Sequence, residues 1–301
     1  MANFLKAAEV WLLDVTGEHL VLSSAHYGEQ LHDFESASQG MQFEIDEGLP
    51  GKTWAERRPL IWTDLTTEHF KRKELAQIAG LVCGLSIPVF AGEFLLGVVV
   101  LFFAKKDEAT GAVEVWHNRD YYDNELRLVD GYYGHLKKFE YTSRNLTIMR
   151  GRGLPGTAWQ QVRPVVMPDL ADSGSFLRAR NAASSGLTVG LAIPFFYTDR
   201  DVQVVAMLSS EVTPAAQRFE VWCPDESHRY LLFSEGFCAS GTDLHVEYRG
   251  VACDRGESVL GNVWLSGRPS VEVADHPNAK GAVYIPFIVN GLLAAVVKLV
   301  F

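Results

Sequence analysis

The sequence predicts an α+β architecture written three times: a repeated antiparallel sheet with flanking helices. Three observations carry that expectation. A motif appears twice, as Gly48-Leu49-Pro50-Gly51, Trp54, Arg58-Pro59, Asp64-Leu65 and as Gly153-Leu154-Pro155-Gly156, Trp159, Arg163-Pro164, Asp169-Leu170, and is echoed at Gly261, Trp264, Arg268-Pro269 and Asp275. The spacing is constant, since 159 − 54 = 105 and 264 − 159 = 105. The surrounding sequence keeps step: Glu9-Val10-Trp11 returns as Glu114-Val115-Trp116 and Glu220-Val221-Trp222, and Ile87-Pro88 as Ile193-Pro194 and Ile285-Pro286. A period of this length is a domain and not a solenoid unit, which places boundaries at 1–106, 107–213 and 214–301. The last step is shorter, 285 − 193 = 92, so the third copy lacks 105 − 92 = 13 residues between Asp275 and Ile285, where the other two carry a helical segment.

Each element of one copy has its own signal. Residues 9–13 and 19–23 are β-rich runs around Asp14-Val15-Thr16-Gly17, a hairpin pattern. Residues 41–45 alternate and form a third strand. Residues 49–57 read as a helix with Pro50 tolerated in its first turn, stopped by Pro59. Leu60-Ile61-Trp62 is the next strand. Residues 70–80 place Phe70, Leu75, Ile78 and Ala79 at helical spacing, with Gly80 as the C-cap. Strands 84–90 and 94–103 close the unit around Ala91-Gly92-Glu93, and the unbroken apolar run 95–103 is expected to be buried on both faces. Strands interleaved with helices in this order give an α+β domain. The links at 104–111 and 212–217 are short, so the repeats are expected to pack directly on one another.

Composition narrows the function. The chain has 301 residues, 48% hydrophobic and 21% charged, with a net charge of −10. These are ordinary globular values, and the acidic balance argues against nucleic acid as a partner. Lys137, Lys138, Arg144, Arg150 and Arg152 are read as a solvated basic face. No apolar run reaches membrane-span length and no signal peptide opens the chain. Four cysteines without a Cys-x-x-Cys pair fit reduced thiols and a cytoplasmic protein.

Taken together, Gly48-Leu49-Pro50-Gly51, Trp54, Arg58-Pro59, Asp64-Leu65, Phe70-x-Arg72, Gly80-Leu81, Ile87-Pro88 and Leu96-Gly97-Val98 resemble the GAF domain, a relative of PAS. The resemblance covers nearly all of the first two repeats and the outline of the third. It implies a six-stranded antiparallel sheet and a small-molecule pocket between the sheet and its covering helices. In repeat one it places Trp54, Asp64, Phe70, Arg72 and Cys83 at that pocket. In repeat two it places Trp159, Asp169, Phe176 and Arg178 there, with Val189 at the position of Cys83 and Gly190 one step after. The residues themselves admit a plainer role: the tryptophans as core anchors, Asp64 as a loop cap, and an Asp64–Arg72 pair bridging two loops.

The Asn-Lys-x-Phe-Asp-Glu signature of cyclic-nucleotide GAF domains is absent, and Cys83 has no adjacent histidine for bilin attachment. Cys223, Cys238 and Cys253, near His228 and His245, are a candidate redox or metal group whose spacing matches no zinc pattern. His19, His26, His32 and His69 are candidate haem ligands against a background of ordinary surface histidines. The residues name no cofactor and no ligand. The expectation is a non-catalytic sensory or regulatory protein that binds a small molecule in repeat one, repeat two or both, either signals through a partner or serves as a receptor subunit, and assembles as a homodimer. Two rivals stand beside it. One is a thiol-dependent reductase of the free methionine sulfoxide type, and the other is a purely structural interaction module.

Overall fold

The computed structural model describes residues 3–105, 109–118, 124–198, 200–273 and 281–301. The first repeat begins with β1 (Leu5–Leu13) and β2 (Leu20–Tyr27). Asp14 closes the turn between them, its Oδ1 accepting from the backbone N–H of Thr16 at 3.1 Å and of Gly17 at 2.8 Å. There follow α1 (His32–Ser38), β3 (Gln42–Phe43), α2 (Gly48–Glu56), β4 (Leu60–Trp62), α3 (Lys73–Ile78), β5 (Leu81–Ala91) and β6 (Phe94–Ala104). The strands form an antiparallel sheet in the order β3-β2-β1-β6-β5-β4. As expected, β6 is buried along nearly its whole length.

The second repeat copies this order with β7 (Gly111–His117), β8 (Glu125–Tyr132), α4 (Lys137–Arg144), β9 (Thr147–Met149), α5 (Gly153–Gln161), β10 (Val165–Met167), α6 (Ala179–Ser185), β11 (Val189–Phe196) and β12 (Val202–Ser209). The third has β13 (Arg218–Pro224), β14 (Tyr230–Cys238), α7 (Leu244–Glu247), β15 (Ala252–Asp254), α8 (Ser258–Ser266), β16 (Ser270–Glu272), β17 (Ala282–Val289) and β18 (Leu292–Val300). All three sheets share one strand order. The expected loss of a helix in the third copy falls on residues 274–280, which lie outside the described residues. Among the described residues no helix is long and apolar enough to cross a membrane.

The Gly-x-x-Gly motif has a steric cause. A Cβ on Gly51, Gly156 or Gly261 would sit 2.1, 2.2 or 2.1 Å from the carbonyl oxygen of Glu44, Met149 or Asp254. Each helix therefore opens against the backbone of the preceding strand, and only glycine allows that approach. The helix ends are also backbone decisions. Arg57 and Val162 close α2 and α5 in the left-handed conformation, with Pro59 and Pro164 two residues on, the usual place for a proline after a C-cap.

Two elements differ from the sequence-based expectation. Helix α1 has no counterpart in it, because Phe34 is the one large apolar residue of that helix and gives no periodic signal. The helix expected over 70–80 shrinks to Lys73–Ile78. Residues 70–72 turn instead, with Phe70 N–H bonded to the Thr67 carbonyl at 3.1 Å and Lys73 N–H to that of Phe70 at 3.1 Å. That turn lets Phe70 and Arg72 both enter the core.

The chain divides into two compact units. One comprises Leu5–Lys105, Trp222–Leu232 and Val251–Phe301, the other Met1–Phe4, Lys106–Val221 and Phe233–Gly250. Within the first, β17 packs on β5 and β16 on β2. There Val271 N–H donates to Ser24 Oγ at 2.9 Å, and His26 stacks on Phe301 at 4.5 Å. Within the second, Val166 N–H at the sheet edge donates to Glu235 Oε1 at 3.0 Å.

Candidate functional site

Strand β1 carries a fully buried carboxylate, Glu9, on the face that α1, α2 and α3 cover. Its Oε1 accepts from Arg72 Nη1 at 2.5 Å, Tyr27 Oη at 2.8 Å and Ser38 Oγ at 3.1 Å. Its Oε2 accepts from Arg72 Nη2 at 3.0 Å and Trp11 Nε1 at 3.0 Å. The pairing is bidentate, the strongest geometry for an arginine and a carboxylate. Arg72 Nη1 also bonds Ser38 Oγ, and the guanidinium lies 4.2 Å from the centre of the Phe34 ring. Burial, then the Glu9 charge, pushes the Tyr27 phenol far up, so it stays a donor.

Repeat two reproduces the cluster residue for residue. Glu114 accepts from Arg178 Nη1, from Arg178 Nη2 at 2.9 Å, from Trp116 Nε1 at 2.9 Å and from Tyr133 Oη at 3.0 Å. Ser143 Oγ accepts from Arg178 Nη1 at 2.5 Å. Burial would raise the Glu114 carboxyl, but Arg178 and the hydrogen bonds from Trp116 and Ser143 hold it below its ordinary value. Repeat three keeps the acid but lacks the Phe-x-Arg segment. Glu220 is buried and accepts from Tyr248 Oη at 2.9 Å, while Arg218, on the same strand, approaches it at 3.9 Å and binds Glu247 at 2.6 Å.

The expected site residues fall into distinct places. Phe70 and Arg72 are buried together in the repeat-one core, and Phe70 stacks on Phe34 at 6.3 Å. Trp54 is half-buried on α2 and packs on that core. Asp64 is exposed and caps its own loop, accepting from Thr66 N–H at 2.8 Å and Thr66 Oγ1 at 2.6 Å. Those bonds hold its carboxyl below the usual range. Arg72 pairs with Glu9, so acid and base meet inside the domain through a residue of β1. Cys83 is buried opposite Phe103 in the ladder, one position out of step with Gly84 and Phe102, and so projects to the other face of the sheet. In repeat two Trp159, Phe176 and Arg178 are buried and Asp169 is exposed, capping Asp172 N–H at 3.1 Å. Val189 takes the face of Cys83, and Gly190 takes that of Gly84, against Leu154.

None of the four cysteines is disulfide-bonded, and Cys238 Sγ lies 3.0 Å from Ser240 Oγ. Among the described residues no three His, Cys, Asp or Glu side chains converge in a way that could hold a metal ion.

Glu9, Tyr27 and Ser38 are not among the site residues expected from the sequence, yet Glu9 does carry a signal there. An acid repeated in Glu-Val-Trp, inside an otherwise apolar strand, must be paired when buried. The two copies that also carry Phe-x-Arg supply the partner.

The sequence profile of the GAF domain matches residues 2–129. The chain carries a GAF domain. The match takes in the whole first sheet and continues into β8 of the second, and the three like-ordered sheets are consistent with GAF-type units in tandem. Solved structures similar to this chain include fRMsr of Staphylococcus aureus in complex with substrate, at 20% identity and a TM-score of 0.26, covering 34% of this chain and 57% of that one. Free methionine-R-sulfoxide reductase from Neisseria meningitidis in complex with its substrate is 24% identical with a TM-score of 0.25, covering 33% and 51%. The GAF domain of a phosphoenolpyruvate-protein phosphotransferase from Coxiella burnetii is 20% identical with a TM-score of 0.27, covering 33% and 57%. The chain thus spans a little over half the length of each. No curated protein matches.

Proposed function

We propose that this GAF chain is a non-catalytic regulatory protein whose first repeat binds a small molecule between the sheet and its covering helices. The observation that carries the reading is an asymmetry between equivalent walls. In repeat two, Trp159, Val165 and Met167 are 4%, 6% and 9% exposed, closed into the core. Their counterparts in repeat one, Trp54, Leu60 and Trp62, pack against the core but remain partly open to solvent. An accessible apolar and aromatic wall beside a GAF sheet is the kind of surface a small ligand covers.

The chemistry favours binding over turnover. The carboxylate and guanidinium of each of the first two repeats are spent on each other, and Cys83 lies on the far face of the sheet from Trp54 and Phe70. A bound ligand would act by shifting populations between packing states. Output through a partner protein and assembly as a homodimer belong to the same proposal, and light scattering of the full chain tests the second. Native mass spectrometry of the full chain tests the ligand site itself. A small bound mass that is lost in Trp54→Ala and Trp62→Ala supports the site. Thiol-dependent turnover of free methionine sulfoxide that disappears in Cys83→Ser would replace the proposal with the reductase.

A further inference from the structure

Among the described residues one buried side-chain polar atom has no hydrogen-bond partner, the Oγ of Ser86. Folded proteins rarely keep a buried hydroxyl unpaired without a use for it. Its position is informative. Across the sheet of repeat one runs a row of directly opposed residues: Glu9 on β1, Val100 on β6, Ser86 on β5 and Leu60 on β4. Opposed residues project to one face, and Val100 and Leu60 belong to the core beneath the helices. Ser86 therefore points to the side where Trp54 and Trp62 stand half-open. Glu9 is two strands away, about 10 Å at the usual strand spacing, beyond hydrogen-bond reach.

The other repeats do not share the feature. The same row in repeat two reads Glu114, Ala206, Ala192, Val165, with alanine in place of Ser86. In repeat three the position is Tyr284, whose hydroxyl donates to Glu272 Oε2 at 2.5 Å. The remaining buried polar residues of repeat one are Glu9, Ser38, Thr53 and Arg72, and each has a partner.

We propose that Ser86 is the polar anchor of the repeat-one site, and that the site takes an uncharged aromatic small molecule bearing one hydrogen-bonding atom. The inference rests on the small-molecule reading of repeat one given above. Neutrality follows from the surroundings: Glu9 already neutralises Arg72, and an ion would lose its hydration against Leu60, Val100 and two indoles without a counter-charge. Aromaticity follows from Trp54 and Trp62, whose faces favour flat apolar partners.

The test titrates the full chain with phenol and indole, with toluene, which lacks a hydrogen-bonding atom, and with benzoate and benzylamine. Binding is read by tryptophan fluorescence and calorimetry in wild type, Ser86→Ala and Ser86→Cys. Alanine is the natural residue at this place in repeat two, so Ser86→Ala should fold, with a Tm at or above wild type because an unpaired hydroxyl is removed. Phenol and indole should bind more tightly than toluene. Ser86→Ala should weaken phenol about tenfold, the loss of one buried hydrogen bond, and leave toluene unchanged, with Ser86→Cys in between. Phenol binding indifferent to both substitutions, or a preference for benzoate or benzylamine, would overturn the inference and leave repeat one a binding site. If no probe binds at repeat one, the inference and the site reading fall together.

Discussion

At the scale of the residue, the buried Glu–Arg pair is the feature on which each of the first two repeats turns. Removing one member leaves the other charged and unpaired, so Arg178→Met should cost about 3–5 kcal/mol in a urea melt. The double substitution Glu114→Gln with Arg178→Met should cost clearly less, because no orphaned charge remains. The cluster also sets a pH window. The Glu114 carboxyl is held below its ordinary 4.5 in the folded state, so its contribution is present above that value and is lost as pH falls through the folded one. The Tyr27 and Tyr133 phenols are raised above their ordinary 10.0, so theirs is present below 10.0 and is lost as pH climbs beyond it. The contribution of these groups to the urea midpoint should be level between those limits and decline on both sides, while His26, whose burial holds its imidazole below the ordinary 6.5, adds a decline of its own as pH falls below that value. A second acid-side decline that begins only well below the carboxylate range would show that Glu114 is not held as described.

At the scale of the element, the recurring glycines are packing requirements that can be tested against one another. Gly51→Ala and Gly156→Ala push a methyl into a backbone carbonyl and should each cost at least about 2 kcal/mol. Gly174→Ala, with open space around it, should stay within about 0.5 kcal/mol. In repeat three Ser258 holds the left-handed conformation, φ 60°, that Gly48 and Gly153 hold in the others, so Ser258→Gly should gain about 1 kcal/mol. Chemical denaturation of the four variants measures all of these. Much of this scaffold is legible in the sequence, because strand alternation, turn residues and a fixed period are local signals. Helix α1 is not, since Phe34 alone marks its buried side. Nor is the partner of Arg72. Asp64 is the nearer acid in the chain, whereas Glu9 lies 63 residues away and meets Arg72 only when β1 and the turn before α3 converge. Ser86 leaves no trace, because a serine in a strand says nothing of its face until the register is known.

At the scale of the molecule, segments of the third repeat supply partners to the others: Val271 to Ser24 and Glu235 to Val166. The shortened repeat is expected to depend on them, so residues 214–301 expressed alone should show no cooperative thermal transition, whereas a soluble monomer with a sharp melt would contradict that dependence. We propose that repeat one binds a small molecule through its half-open wall. The seven tryptophans make this directly measurable, since each indole N–H gives its own NMR signal, assignable by single Trp→Phe substitutions. On titration of the full chain with phenol, the Trp54 and Trp62 signals should move together while those of Trp159 and of Trp116, held by Glu114, stay in place. Movement of Trp159 with Trp54 and Trp62 unchanged, or no movement at any of them, would contradict the account.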